Sequence, residues 1–598
     1  MKKHLLVITT CLALLIMSHT TEAAGNLQIN YTLSFPEAQA HYMDVEMNIS
    51  GISQPFIDLK MPVWTPGSYL VREYAKTLES LTAEHNGKNL SARKINKNTW
   101  HVMLEGAQQV KVKYRLYCFE ISVRNNFVSS AQGFIVGANT FLFPAGMLDN
   151  PSTIHIKPYK NWNKVSTSLD MVGNDPFTIH APNYDILYDS PIEVGTQDVF
   201  GFEAAGVKYE VAMCLGGNYD KERIKKDLKK LVEKETDIFG ENPNKRYVFI
   251  VHNYAKGGGG LEHLSSTVLG LPRDTYNTEA GYQRFLGLAA HEHFHLWNVK
   301  RLRPIALGPF DYETENYTTD LWIAEGFTNY FDNMVVHRLG LYTTENYFAA
   351  LCTDINLIEN SPGNKIQPLY EASFDAWIKY YRPTENSVNA GVSYYSKGSV
   401  AAMMLDLEII QDSKTRYSLD DVMKYMYTEY YKVKKRGYTD EEFKQGLEKY
   451  AGKNLDHFYE KYIYGLADVD YNKYLGYAGL ELIDDLAKSN QPALGLTTTV
   501  TNNKVIITTV IRNSSAWIDG LNVNDEITAI DGQQVMDVNA FIAGKKIGDK
   551  VIVNVTRDGL PLALPVTLLK NKQVKYRIAS ISNPSAQQIA VREKWLKQ

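Results

Sequence analysis

The chain of 598 residues is too long to fold around one hydrophobic core; at roughly 100 to 200 residues per domain it holds about three to five domains. Hydrophobic residues at 44% and charged residues at 22% exclude a disordered or fibrous chain, and a formal net charge of -4 leaves no basic surplus for nucleic acid or an anionic membrane. No repeat or low-complexity tract stands out.

Lys2, Lys3 and His4, an apolar stretch over 5–17, and small residues around Ala23 and Ala24 read as a secretory signal over 1–24. The mature chain then starts near Gly25, and the protein is expected in the periplasm or the extracellular space. Cys11 lies inside the apolar stretch, the wrong place for a lipid anchor. Cys118, Cys214 and Cys352 are widely spaced and odd in number, which reads as buried thiols rather than a disulfide framework. No later segment has the apolar length of a membrane-spanning helix.

Over 25–205 the apolar residues alternate: Leu27, Ile29, Tyr31, Leu33 and Phe35; Met43, Val45, Met47 and Ile49; Val110, Val112, Tyr114, Leu116 and Cys118. This predicts an antiparallel β domain, a sandwich or a saddle. The stretch 61–70 (MPVWTPGSYL) has two prolines and reads either as a loop meeting the next domain or as a packed β corner.

A second domain, 206–480, is mainly helical. Ile224, Leu228, Leu231 and Val232 predict an amphipathic helix, and residues 247–251 a short buried strand. Four glycines, Gly257 to Gly260, lead into Leu261, Glu262 and His263. They suit a backbone that approaches something closely, as at the lip of a cleft, or equally a flexible hairpin.

His291, Glu292 and His295 form an H-E-x-x-H pattern after residues 285–290, which read as the first turns of a helix. Residues four apart share a helix face, so both imidazoles can reach one ion while Glu292 stays free to act as a base. With 14 histidines in the chain, a chance match is expected about 0.02 times. Downstream, residues 320–330 read as another helix. Glu325 within it is a candidate third ligand, since catalytic zinc sites commonly use three protein ligands. Asn329, one turn on, suits either orienting a ligand or simple capping. Residues 393–398 contain Tyr394 and Tyr395, either of which could donate to an oxyanion.

The last ordered segment, 481–570, contains Leu494-Gly495-Leu496, a strand-like run over 504–510 and the turn at Asp531-Gly532. It resembles a PDZ domain, which either binds peptide C-termini or serves only as a packed module. Residues 571–598 form a tail.

Glu-Gly-Phe after Leu-Trp, the Trp297-Asn298 continuation of H-E-x-x-H, a Gly-x-Leu-Glu segment and a Tyr-x-Lys-Gly segment resemble the gluzincin aminopeptidases. The longer strings 257–263, 291–304 (HEHFHLWNVKRLRP) and MPVWTPGSY are similar to the glycyl aminopeptidase family, zinc metallopeptidases with a PDZ domain. The resemblance implies a multidomain α+β fold: an N-terminal antiparallel β domain, a thermolysin-like, mainly helical gluzincin catalytic domain, and a C-terminal PDZ domain. It assigns His291, His295 and Glu325 to one Zn2+ per chain and Glu292 to the general base acting on a zinc-activated water. Glu262 would bind the free α-amino group of the substrate, with Gly259 and Gly260 on a substrate-side edge strand. Tyr395 would stabilise the oxyanion, with Tyr394 as the neighbouring candidate. His263 departs from the broader gluzincin pattern, where asparagine is common. The activity implied is removal of small N-terminal residues, Gly or Ala, from peptides. The alternatives are an endopeptidase or an aminopeptidase of other specificity, and a catalytically retired PDZ peptide-binding protein. His293, two positions from either ligand, is expected to point away as a packing or surface residue.

Overall fold

The computed structural model describes residues 27–597, so the secretory-signal reading of 1–24 lies outside it. The first domain is built on an eight-stranded sheet in the order Asp170–Val172, Asp175–Ala181, Ser152–Lys157, Gln28–Ser34, Tyr42–Ser50, Gln109–Tyr117, Leu78–His85 and Lys88–Leu90. Its neighbours run antiparallel except Gln28–Ser34 and Ser152–Lys157, which are parallel. Because successive side chains point to opposite faces, Val110, Val112, Tyr114 and Leu116 are buried while Lys113 and Tyr117 face outward. Two four-stranded sheets share the same core, with Leu59 and Val102 from one and Ile135 and Val194 from the other.

The second sheet begins at β1 (Asp198–Ala204), which forms a hairpin with β2 (Val207–Cys214), so the chain enters it before residue 206. Helix α1 (Lys221–Phe239) crosses over to β3 (Arg246–Tyr254), the connection that two parallel strands require. Asp220 caps its start, Gly240 ends it in the left-handed conformation, and Ile224, Leu228, Leu231 and Val232 form its buried face. Next come β4 (Gly260–Glu262) and β5 (Ser266–Pro272), giving the order β1-β2-β3-β5-β4 with β4 on the edge, antiparallel to β5. Edge strand β4 lies beside α2 (Glu279–Phe294).

Four more helices complete the catalytic domain's centre: α3 (Leu321–Ala324), α4 (Gly326–Arg338), α5 (Thr344–Glu359) and α6 (Tyr394–Asp412). The glycines of Glu-Gly-Phe and Tyr-x-Lys-Gly meet here. A Cβ on either Gly326 or Gly398 would strike the backbone of the other, so α4 and α6 cross at this point only because both lack one. The loop 61–70 meets the second domain: Trp64 packs edge-on against Trp377 and donates its indole N–H to the Asp311 carbonyl at 2.7 Å.

A five-stranded sheet running from Leu496–Thr501 at one edge to Leu560–Thr567 at the other, with helix α7 (Val538–Ala543), forms the third domain around Ile507, Ile530 and Val553. The tail then returns to the second domain. Tyr576–Ser580 pairs with Leu480–Asp484, and α8 (Ala586–Leu596) packs on α4 and α6. Cys118, Cys214 and Cys352 are buried free thiols, as the sequence predicts. Among the described residues no helix is long and apolar enough to cross a membrane.

Trp595 on α8 is fully buried, and its indole N–H donates to the Tyr330 hydroxyl at 2.6 Å, which in turn donates to Asp406. Trp595→Ala leaves a cavity and takes away the donor to the Tyr330 hydroxyl, and is expected to destabilise the second domain by about 3–5 kcal/mol. Urea denaturation followed by circular dichroism measures this; an unchanged midpoint would show the tail to be dispensable.

Candidate metal centre and active site

Helix α2 starts at Glu279, capped by Thr278, so residues 285–290 are its middle rather than its first turns; H-E-x-x-H occupies its last turn, and His295 is the C-cap with a helical φ of -60°. The two imidazole Nε2 atoms lie 3.2 Å apart. Glu325, at the break between α3 and α4, brings Oε2 to 3.2 Å from His295 Nε2 and 3.5 Å from His291 Nε2. Ligands about 2.0–2.1 Å from a tetrahedral ion stand about 3.3 Å from one another, and the triangle has this size.

The far side of each ring is engaged. His291 Nδ1 meets Asp332 Oδ2 at 2.9 Å, and His295 Nδ1 meets the Asn298 carbonyl at 2.7 Å. Donation from each Nδ1–H turns the Nε2 lone pairs inward, the arrangement found behind metal-binding histidines. Three donor atoms thus converge on one point, and the residues fit a divalent cation. Burial opposes charge on His291, yet Asp332 and Glu325 drive its pKa well above the ordinary value. Burial alone would raise Glu325, but His295 and His291 hold its carboxyl down at about 2. Burial dominates at Glu292, which is pushed up to about 7 against the pull of His291 and His295.

The triangle forms one wall of a cavity of about 360 Å³ that also exposes Glu292, Glu262, Gly259, Gly260 and Tyr395. Glu262, on edge strand β4, is buried and its Oε1 has no hydrogen-bond partner. One carboxylate oxygen each from Glu262 and Glu292 and a ring nitrogen of His295 lie within 4.8 Å of one another. Gly67, from the loop 61–70, backs onto Glu262 with φ of +84°; a Cβ there would overlap its carboxylate. At Gly260 a Cβ would overlap the Glu292 carboxylate. Tyr395 lies in the first turn of α6 with its ring stacked on His291, centroids 6.3 Å apart. Tyr394 is wholly buried against Tyr380 and lies outside the cavity lining. Asn329 lines the cavity and donates to Asp354 at 2.9 Å. His293 is a packing residue: fully buried on the other side of α2, it bonds Glu235 at 2.6 Å.

Residues 30–196 match the peptidase M61 N-terminal domain, residues 284–401 the M61 glycyl aminopeptidase domain, and residues 492–568 a PDZ domain. A solved aminopeptidase N family protein from Idiomarina loihiensis is 29% identical, with 95% of this chain and 100% of that one covered at a TM-score of 0.89. The chain thus carries two regions that match M61 models, the N-terminal domain and the glycyl aminopeptidase domain, ahead of a PDZ domain. It is a metallopeptidase of the aminopeptidase class that carries a PDZ domain, and its cofactor is a metal ion. More distant solved structures include an M1 zinc metallopeptidase from Deinococcus radiodurans (13% identity, 71% of this chain and 91% of that one, TM-score 0.42). Another is aminopeptidase A from Legionella pneumophila (12% identity, 94% and 57%, TM-score 0.47). No curated protein matches the sequence.

Reading this sequence by motif misses Asp332, Gly67 and Arg124. Asp332 had a signal: it lies seven residues after Glu325, two turns along the same helix face. The other two come from the first domain, about 150 residues or more upstream of the motif; Gly67 lies within MPVWTPGSY, singled out as a stretch without a site role, and no local pattern announces Arg124. Arg124 lines the cavity and donates from Nη2 to the Gly260 carbonyl at 3.1 Å.

Asp332→Asn keeps the shape but gives up the charged acceptor behind His291. Zinc affinity should fall about 10- to 100-fold. Competition against a colorimetric chelator measures it; undiminished affinity would separate Asp332 from metal binding.

Proposed function

We propose that the protein is a zinc aminopeptidase that removes small N-terminal residues, Gly or Ala foremost, from peptides, with one zinc per chain held by His291, His295 and Glu325. The observation that carries this reading is the buried Glu262 carboxylate, with one oxygen unpartnered, facing the His295 side of the triangle. An unpaired buried charge is costly, and a substrate ammonium would supply its partner. Pairing there sets the scissile bond one residue from the chain's N-terminus. Gly67 lies against Glu262 and accepts from the Tyr381 hydroxyl at 3.5 Å, which leaves little room beside the ammonium and favours a small first residue.

Zinc, when bound, supplies a Lewis acid for the scissile carbonyl and acidifies water. Glu292 accepts a proton from that water and hands it to the departing amine. Its elevated pKa suits a group that both takes and gives a proton near neutrality, and the charge of the cation draws that pKa downward. Tyr395 donates its hydroxyl to the developing oxyanion. The PDZ domain's edge strand Leu496–Thr501, with α7 nearby, suits pairing with an extended peptide and its C-terminus. The basic and apolar start of the sequence supports export to the periplasm or beyond.

Glu292→Gln should keep about one zinc per chain by metal analysis while turnover of aminoacyl reporter substrates drops by about 1,000-fold or more; retained turnover would remove Glu292 from the mechanism. Glu262→Gln should raise KM for free-amine peptides by at least about 10-fold, a loss that charge-assisted bonding accounts for. The wild-type protein should leave N-acetylated peptides uncut, and their cleavage would make it an endopeptidase.

A further inference from the structure

Among the described residues, Arg124 is the one lysine or arginine lining the cavity. It lies in the first domain, between strands Gln109–Tyr117 and Phe127–Val128, and its backbone is anchored at both polar groups. Its N–H donates to the Ser122 hydroxyl at 3.0 Å, and its carbonyl accepts from the Tyr74 hydroxyl at 3.0 Å. Its guanidinium has five N–H donors. One hydrogen bond engages it, to the Gly260 carbonyl, while Nε is buried without a partner. Nη1 would stand 3.8 Å from a Cβ on Gly259. A rigidly seated fork with most of its donors unspent, opening on a substrate cavity, is a receptor for a planar anion.

Its position along β4 says which anion. In the aminopeptidase reading, on which this inference rests, the substrate ammonium meets Glu262, and an extended peptide follows the edge strand past Leu261 toward Gly260 and Gly259. At about 3.3 Å per residue, Gly260 and Gly259 stand about 7–10 Å from Glu262 along the strand. An extended dipeptide carries its terminal carboxylate about that far from its ammonium. We propose that Arg124 receives the C-terminal carboxylate of very short substrates, so that the site measures peptide length between Glu262 and Arg124 and selects dipeptides with both ends free. A carboxylate there also brings a negative charge to the one cation among the buried acids Glu262, Glu292 and Glu325, where it would otherwise be repelled.

The test uses the zinc-loaded protein and two substrates differing only at the far end, Gly-Ala and Gly-Ala amide. For wild type, kcat/KM should favour the free acid by about 10-fold or more, the worth of a charge-assisted hydrogen bond. Arg124→Gln should bring the ratio of the two close to one, chiefly by raising KM for the acid. Arg124→Lys, which keeps a charge without the fork, should retain part of the preference. A wild-type ratio near one would overturn the proposal. So would an equal loss on both substrates in Arg124→Gln, which would make Arg124 only a clamp on Gly260. Hydrolysis of neither dipeptide, with cleavage of N-blocked peptides, would overturn the aminopeptidase reading and this inference together.

Discussion

Two imidazole nitrogens 3.2 Å apart with a carboxylate oxygen completing the triangle form an arrangement whose size and donor set suit a shared cation. Around it the protein concentrates further acids. Glu262, Glu292, Glu325 and Asp332 are each less than 9% exposed. Taking an isolated carboxylate out of water costs several kcal/mol, and the protein's own compensation is Arg124 and the two histidines. The catalytic pieces are therefore held in a charge balance that a divalent ion closes. The same balance includes Asp332 and Arg124, although neither belongs to the triangle of His291, His295 and Glu325. One fixes the direction of a lone pair, and the other sets the sign of the potential at the far end of the cavity.

Close approach of backbone to chemistry is the second constraint. Gly260 lets edge strand β4 run under the Glu292 carboxylate, and Gly67 lets a loop of the first domain press against Glu262. Gly326 and Gly398 let the helices behind Glu325 and ahead of the cavity cross. Each glycine sits in a motif that reads as catalytic. Their role is packing: they bring Glu262, Glu292, Glu325 and Tyr395, which come from β4, α2, the α3–α4 break and α6, into one cavity of about 360 Å³. The M61 motifs are thus as much a record of contact distances as of reactive groups.

Much of this was legible in the sequence where chemistry or periodicity is local. The i, i+4 histidines carry a strong side-chain signal, Glu262 and Glu325 are reached only through the motifs that resemble the family, and the alternation in Gln109–Tyr117 and the apolar stripe of α1 name their own buried faces. The start of α2 was misplaced, because Glu279 to Arg284 carry polar residues that face outward beside the buried Gly281 and Tyr282, and the pattern sharpens only at Phe285. The choice between Tyr394 and Tyr395 was not legible, since adjacent residues on a helix differ only by about 100° of rotation and composition is blind to that angle. Arg124 was out of reach for a different reason, and Gly67 only as far as its stretch could be read as a loop meeting the next domain: their relevance is created by how two domains meet, and period and propensity describe each domain separately.

The placement of the PDZ domain follows from the same interdomain logic. Its strands lie between Leu480–Asp484 and Tyr576–Ser580, which pair with each other, so it is inserted into the catalytic domain rather than appended to it. Past the insertion, α8 packs on α4 and α6, the helices that carry Asp332 and Tyr395. A separate contact reaches the segment just ahead of α6: Asn389, five residues before Tyr394, donates to the Val510 carbonyl and accepts from the Arg512 N–H, both at 2.8 Å. The PDZ domain is thereby tied at its roots and along one face to the segment that leads into Tyr395. Two restraints on one short stretch limit its freedom more than either alone, and α6, with the last helix packed on it and the PDZ domain bonded just ahead of it, keeps Tyr395 stacked on His291.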